Sequence, residues 1–128
     1  MTLPAASVIV VSRHRAAALG RCLMALAQQD HPQIEVIVVA DPEGLAAAKA
    51  TGLAVKRVPF DEANISAARN LGLAAAVAPV VAFIDDDAVA EPTWISRLCA
   101  AFADPKVVAA TGFVRGRNGI SYQWKACE

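Results

Sequence analysis

The sequence predicts an α/β fold in three layers, a mainly parallel sheet covered by helices on both faces. Short β-branched runs alternate with alanine-rich stretches of helical period along most of the chain. Several of those runs are apolar at nearly every position, as strands buried on both faces are. Hydrophobic residues make up 56% of 128 residues and the mean hydropathy is +0.43, enough for one core and too much for a disordered chain.

The elements follow in order. Ser7 to Val11 reads as the first strand. Ala16 to Gln29 reads as a helix with Leu19, Leu23 and Leu26 on one stripe, and Asp30-His31-Pro32 ends it. Ile34 to Val39 is a second strand, Gly44 to Ala50 a short helix, and Leu53 to Val58 a third strand. Ile65 to Ala76 is a helix with Asn64 or Ser66 as N-cap, followed by a fourth strand at Val80 to Ile84. Pro92 to Phe102 is a helix with Pro92 near its first position, and Val107 to Phe113 reads as a fifth strand. The whole reads as a single domain. Its tail, residues 116–128, turns polar and carries Tyr122 and Trp124, as the start of a further segment would.

Twelve basic residues balance twelve acidic ones, so no net charge draws the chain to nucleic acid. The longest uncharged run, Leu71 to Ile84, is shorter than the roughly 18 residues of a membrane span and contains Gly72 and Pro79. The N-terminus has no secretory pattern. Cys22, Cys99 and Cys127 are odd in number and form no CxxC pair, which argues against a disulfide framework and a zinc site. A reducing cytoplasm is the expected setting, with peripheral attachment at the inner face of the membrane left open. No GxGxxG follows the first strand and no GxxxxGK[ST] occurs, which disfavours dinucleotide and P-loop enzymes.

Ligands of parallel sheets bind beyond the carboxyl ends of the strands. Those positions hold Ser12-Arg13-His14-Arg15, then Asp41, then Phe60-Asp61-Glu62, then Asp85-Asp86-Asp87, then Arg115 and Arg117. Acidic and basic groups converging on one edge suit an anionic ligand carried with a divalent cation. Residues two apart in extended chain point the same way, so Asp85 and Asp87 can share one cation while Asp86 turns elsewhere. Hard oxygen ligands suit Mn²⁺ or Mg²⁺, which often takes one or two carboxylates plus substrate phosphates. The bland alternative is a solvated acidic turn. Asp41 before Pro42 serves equally as a turn residue or as an acceptor for a base or ribose. Arg69 is an ordinary helical arginine or a cation near phosphate. Arg13 and Arg15 are solvated loop charges or partners of a pyrophosphate. His14 is ambiguous, and His31, Cys22 and Cys99 read as structural.

Together these segments resemble glycosyltransferase family 2, whose fold is of GT-A type, a Rossmann-like α/β/α sandwich. The resemblance runs from about Ser7 to Arg115. It rests on Ser7-Val8-Ile9-Val10-Val11-Ser12-Arg13-His14-Arg15, on Glu35-Val36-Ile37-Val38-Val39-Ala40-Asp41, on Asn64 with Ala67-Ala68-Arg69-Asn70-Leu71-Gly72, and on Val81-Ala82-Phe83-Ile84-Asp85-Asp86-Asp87 followed by Pro92. It implies a nucleotide-diphosphate sugar as donor, a UDP-sugar foremost, and a saccharide, lipid or protein as acceptor. Ser12 and Arg13 would lie in the nucleotide-contacting loop, Asp41 would accept from the base, and Arg69 would contact base or phosphate. Asp86 would hold ribose or sugar, and Asp87 would ligate the metal with Asp85 assisting, as in the family's DxD motif. Val11, Arg13 and His14 stand where the family usually shows Pro, Tyr and Asn, and Ala40 replaces the first of two usual aspartates. Family members invert the anomeric centre with a carboxylate base in their second half, beyond position 128, so the sequence is expected to be a truncated, donor-binding portion with little transfer of its own.

Two other classes compete. Asp85-x-Asp87 after a buried strand also resembles the nucleophile motif of haloacid-dehalogenase-like phosphatases. A non-catalytic nucleotide-binding or interaction module would keep the fold and lose the chemistry.

Overall fold

The computed structural model describes residues 3–112 and 114. Four parallel strands, β1 (Ala6–Ser12), β2 (Ile34–Ala40), β3 (Val55–Pro59) and β4 (Val80–Asp85), form one sheet in the order β3-β2-β1-β4. The helices are α1 (Ala16–Leu26), α2 (Pro42–Ala50), α3 (Ile65–Ala75) and α4 (Trp94–Ala101). No helix among the described residues is long and apolar enough to cross a membrane.

Alternation along the inner strands decides the layers. Val8 and Val10 of β1 with Val36 and Val38 of β2 pack against Leu19, Leu23 and Leu26 of α1, Ala48 of α2, and Ile95 and Cys99 of α4. Ile9, Ile37 and Val39 point the other way and pack with Ala68 of α3. The sheet is thus covered on both faces, as the sequence predicts. The helix on the second face sits close. A Cβ built on Gly72 would lie 2.5 Å from Ile9 Cγ2, so only glycine lets α3 approach β1 this closely.

Three helix ends differ from the sequence reading by two residues or more. α4 starts at Trp94 with Thr93 as its N-cap, because Pro92 and Thr93 form a turn ahead of it and Trp94 N donates to Glu91 O. The other two differ for local reasons. α1 stops at Leu26, because Gln28 and Gln29 donate to carbonyls only three residues back and close the last turn. Gln29 then faces α4, where its amide accepts from Ile95 N at 3.1 Å and donates to Glu91 O at 2.7 Å. α2 starts at Pro42, two residues early, because Asp41 is its N-cap and accepts from Gly44 N at 3.2 Å. Asn64 caps α3 by accepting from Ala67 N at 3.0 Å.

The expected fifth strand is not formed over residues 107–112. They have no regular structure and Val108 is 91% exposed; Phe113 lies outside the described residues, as do Arg115, Arg117 and the polar tail. Two valines supply strand propensity, but Ala109, Ala110 and Gly112 after them supply little, and strand propensity counts only where a sheet packs against it.

Candidate functional site

The strand order reverses beside β1. From β1 the chain runs through β2 to β3 on one side, and α3 then crosses back to place β4 on the other side of β1. The carboxyl ends of β1 and β4 are adjacent, with Val11 opposite Asp85. A crevice opens at such a switch point. Here it is a cleft of about 480 Å³, bordered by Ser12, His14, Phe60, Asn64, Asp85 and Asp87 among others. A second, broader hollow of about 820 Å³ between α1 and α2 is lined mostly by alanines, glycine and Met24, and no predicted site residue borders it.

The loop after β1 reaches the end of every other strand. Ser12 donates to Asp86 at 2.9 Å, in a buried hydrogen bond to the turn after β4. Arg13 Nε donates to Asp61 beyond β3 at 2.9 Å. His14 N donates to Asp41 beyond β2 at 3.1 Å, and its ring Nδ1 lies 3.3 Å from the same oxygen. Arg15 returns to β4, with Nη1 3.4 Å from Asp87 and 3.6 Å from Asp86. His14 has φ of 59°, a left-handed conformation that a non-glycine residue rarely takes. The bond from its amide to the buried Asp41 holds the loop there.

The acidic triplet divides at the end of β4, where Asp85 is the last strand residue and Asp86 and Asp87 form the turn. Asp85 is exposed and pairs with Arg69 Nη2 at 3.8 Å, while Arg69 also stacks 5.9 Å from the Phe83 ring. Asp86 is buried on Ser12, and Asp87 is half-exposed. Two outward carboxylates flanking an inward one make a hard-oxygen donor set that suits Mn²⁺ or Mg²⁺. Burial first, then the charges of Asp86, Asp87 and Asp85, push the Cys22 thiol up to about 12. Cys22 stays a buried thiol whose Sγ donates to Asp85 O at 3.6 Å, as its structural reading expects.

The structure brings Ser12, Arg13, Asp85, Asp86 and Asp87 to the cleft, with Arg69 alongside through Asp85. Asp41 stands one layer deeper. Its side chain is 4% exposed, and it both caps α2 and anchors His14. The sequence reading assigned no role to Asp61. Among the described residues, His14, Asp41 and Asp61 form the one group of three whose ligand atoms all lie within 4.8 Å of one another, close enough to share a metal ion. These carboxylates already accept from Arg13, His14 and Gly44. A cation at either place contends with a guanidinium, that of Arg13 at Asp61, of Arg15 at Asp87 and of Arg69 at Asp85. Position at a strand end was the signal for Asp61; its pairing with Arg13 was not readable from spacing. His31 is structural, as expected. Its Nδ1 accepts from Gln33 N, so Nε2 carries the proton given to Pro4 O at 2.8 Å.

Residues 7–128 match the family described as Glycosyl transferase family 2. The chain belongs to glycosyltransferase family 2. The phosphatase reading of Asp85 and Asp87 is thereby set aside. Among solved structures, a mannosyltransferase from Pyrobaculum calidifontis in complex with GDP-Man and Mn²⁺ superposes with TM-score 0.76 at 25% identity, over 82% of this chain and 34% of that one. TarS of S. aureus in complex with UDP gives 0.64 at 28% identity, over 79% of this chain and 32% of that one. The chain thus spans about a third of the length of these two solved chains. No curated protein matches it. The four-stranded parallel sheet and its helices are the GT-A arrangement.

Proposed function

We propose that the cleft binds a nucleotide-diphosphate sugar together with a divalent cation, as the donor site for glycosyl transfer to an acceptor. The division of the triplet carries this reading: Asp85 and Asp87 face outward while Asp86 is fixed on Ser12. The exposed carboxylates of Asp87 and Asp85 would hold Mn²⁺ or Mg²⁺, which as a Lewis acid stabilises the diphosphate leaving group. Arg13 borders the cleft and Arg69 reaches its edge through Asp85, so both would neutralise phosphate charge, and Phe60 would offer an apolar surface to the base. Asp86 and Ser12 set the floor against which ribose or sugar would rest. Asp41 keeps lone pairs beyond its bonds to Gly44 and His14, so it can still accept from a base. The similar structures carry GDP-Man and UDP, so guanine and uracil are the bases to test first.

The test is thermal stability with UDP, GDP, CDP and dTDP, each with and without Mn²⁺, on the wild type and on Asp87→Ala. A ligand at 100 times its dissociation constant stabilises a fold by about 2.7 kcal/mol. For a domain of this size that is roughly ten degrees. A metal-dependent shift with one nucleotide, lost in Asp87→Ala, supports the reading and names the base. No shift with any of them above millimolar concentration would favour the non-catalytic interaction module. Multiple-turnover transfer by the wild type, lost in Asp87→Ala, would extend the reading from donor binding to catalysis.

A further inference from the structure

We infer that Arg15 is an internal counter-ion that occupies the cation position at Asp87 and yields it when a diphosphate arrives, coupling metal and donor binding. Arg15 takes this role only if the edge is the metal–diphosphate site proposed above.

Arg15 occupies the N-cap position of α1, with φ −137° and ψ 44°, and its side chain makes no capping bond. The guanidinium is free to lean across the cleft, where Nη1 donates to Asp87 at 3.4 Å and lies 3.6 Å from Asp86. Asp86 has a shorter bond from Ser12, so Asp87 is the carboxylate for which Arg15 matters more. No other described basic residue pairs with Asp87. Arg13 is tied to Asp61, and Arg69 to Asp85 and Phe83.

A dication and a guanidinium cannot share one carboxylate oxygen without repelling each other. A metal arriving alone at Asp87 must therefore displace Arg15 and leave it only the longer contact with Asp86, at 3.6 Å. The pair is exchangeable, because the Arg15 side chain is 59% exposed and surface ion pairs are weak. A diphosphate changes the balance twice. Its oxygens complete the shell of a cation that Asp85 and Asp87 hold only in part. They also accept the planar fork of Arg15, a geometry phosphate matches well. Metal and nucleotide then favour each other, and by linkage each tightens the other by the same factor.

The test is Mn²⁺ titration of the whole chain, with free Mn²⁺ read by electron paramagnetic resonance, alone and with saturating GDP or UDP. The variants are Arg15→Gln, Arg15→Lys and Arg21→Gln. In the wild type, nucleotide is expected to tighten Mn²⁺ by a factor within about 5–150. In Arg15→Gln, Mn²⁺ alone is expected to bind about tenfold tighter, and the nucleotide factor to fall by a similar amount. Arg15→Lys restores a cation at Asp87 and should return towards the wild type. Arg21→Gln removes one charge from an exposed position on α1 away from the cleft, and should change Mn²⁺ binding less than about twofold. Equal effects of Arg15→Gln and Arg21→Gln would reduce Arg15 to its contribution to the field and overturn the inference, as would an unchanged nucleotide factor in Arg15→Gln. A wild type that binds Mn²⁺ and nucleotide but fails these variants loses the inference alone. A wild type that binds neither loses the donor-site reading as well.

Discussion

Asp41 shows how one side chain serves two parts of the fold. It caps α2 through Gly44 and fixes the left-handed His14 through the amide of the loop after β1. Asp41→Ala removes a cap and leaves the His14 and Gly44 amides without their acceptor, so it should cost about 1–3 kcal/mol in urea unfolding. Asp41→Asn keeps one acceptor oxygen and should lose less. Gly72 is the opposite case, a residue defined by what it lacks. Gly72→Ala drives a methyl into Ile9 and should cost about 1–3 kcal/mol by the same measurement, as overpacking does. At this scale the sequence placed Ser12, Arg13 and the acidic triplet at strand ends, and the structure sets all five beside one cleft, with Ser12 and Asp86 buried. It was less legible for Asp41, and for Asp61 it showed the strand-end position but not the pairing with Arg13. Whether a strand-end carboxylate faces solvent or turns inward to hold a neighbouring loop depends on loop geometry that spacing does not encode.

The elements are joined at both ends of the sheet by polar contacts. At the end opposite the cleft, Glu35 of β2 accepts from Ser7 of β1, from Lys56 of β3 at 2.6 Å, and from Val77 N ahead of β4 at 3.0 Å. Ser7 in turn accepts from Ala78 N at 3.0 Å. Burial opposes ionisation of Glu35, but the bonds from Lys56, Ser7 and Val77 together outweigh it and hold its carboxyl at about 2, against an ordinary 4.5. A carboxyl held this low in the folded state contributes stability that is complete above its unfolded value and is lost as pH falls through about 2. Glu35→Gln should therefore be less stable than the wild type at pH 7, with the difference shrinking between about pH 5 and pH 2. A constant difference across that range would exclude the clasp as its source. Helices and inner strands were readable because their apolar stripes have one period each. The boundaries slipped where side chains from elsewhere intervene, at Gln29 beside α4 and at Asp41 before α2. The fifth strand failed because a β-branched pair specifies a strand only with a sheet to receive it.

At the scale of the whole molecule, the alternation of strands and helices was enough to give the parallel sheet and the edge on which charged groups gather. The strand order was not, since nothing in the sequence places β4 beside β1 rather than beyond β3. That order is what joins the triplet to the loop carrying Arg13 and Arg15, and it also sets a sequence of events in time. His14 and Asp41 are 27 positions apart, whereas Ser12 and Asp86 are separated by 74. Closing the longer span costs more chain entropy and brings β4 in against a surface that β1, β2 and α3 must already present. The half of the cleft around Asp41 is thus available early in refolding, and the half around Asp87 only when β4 has docked. In a stopped-flow experiment, recovery of Mn²⁺ binding should accordingly coincide with the slowest folding phase, so that the chain acquires its cation only after its sheet is complete.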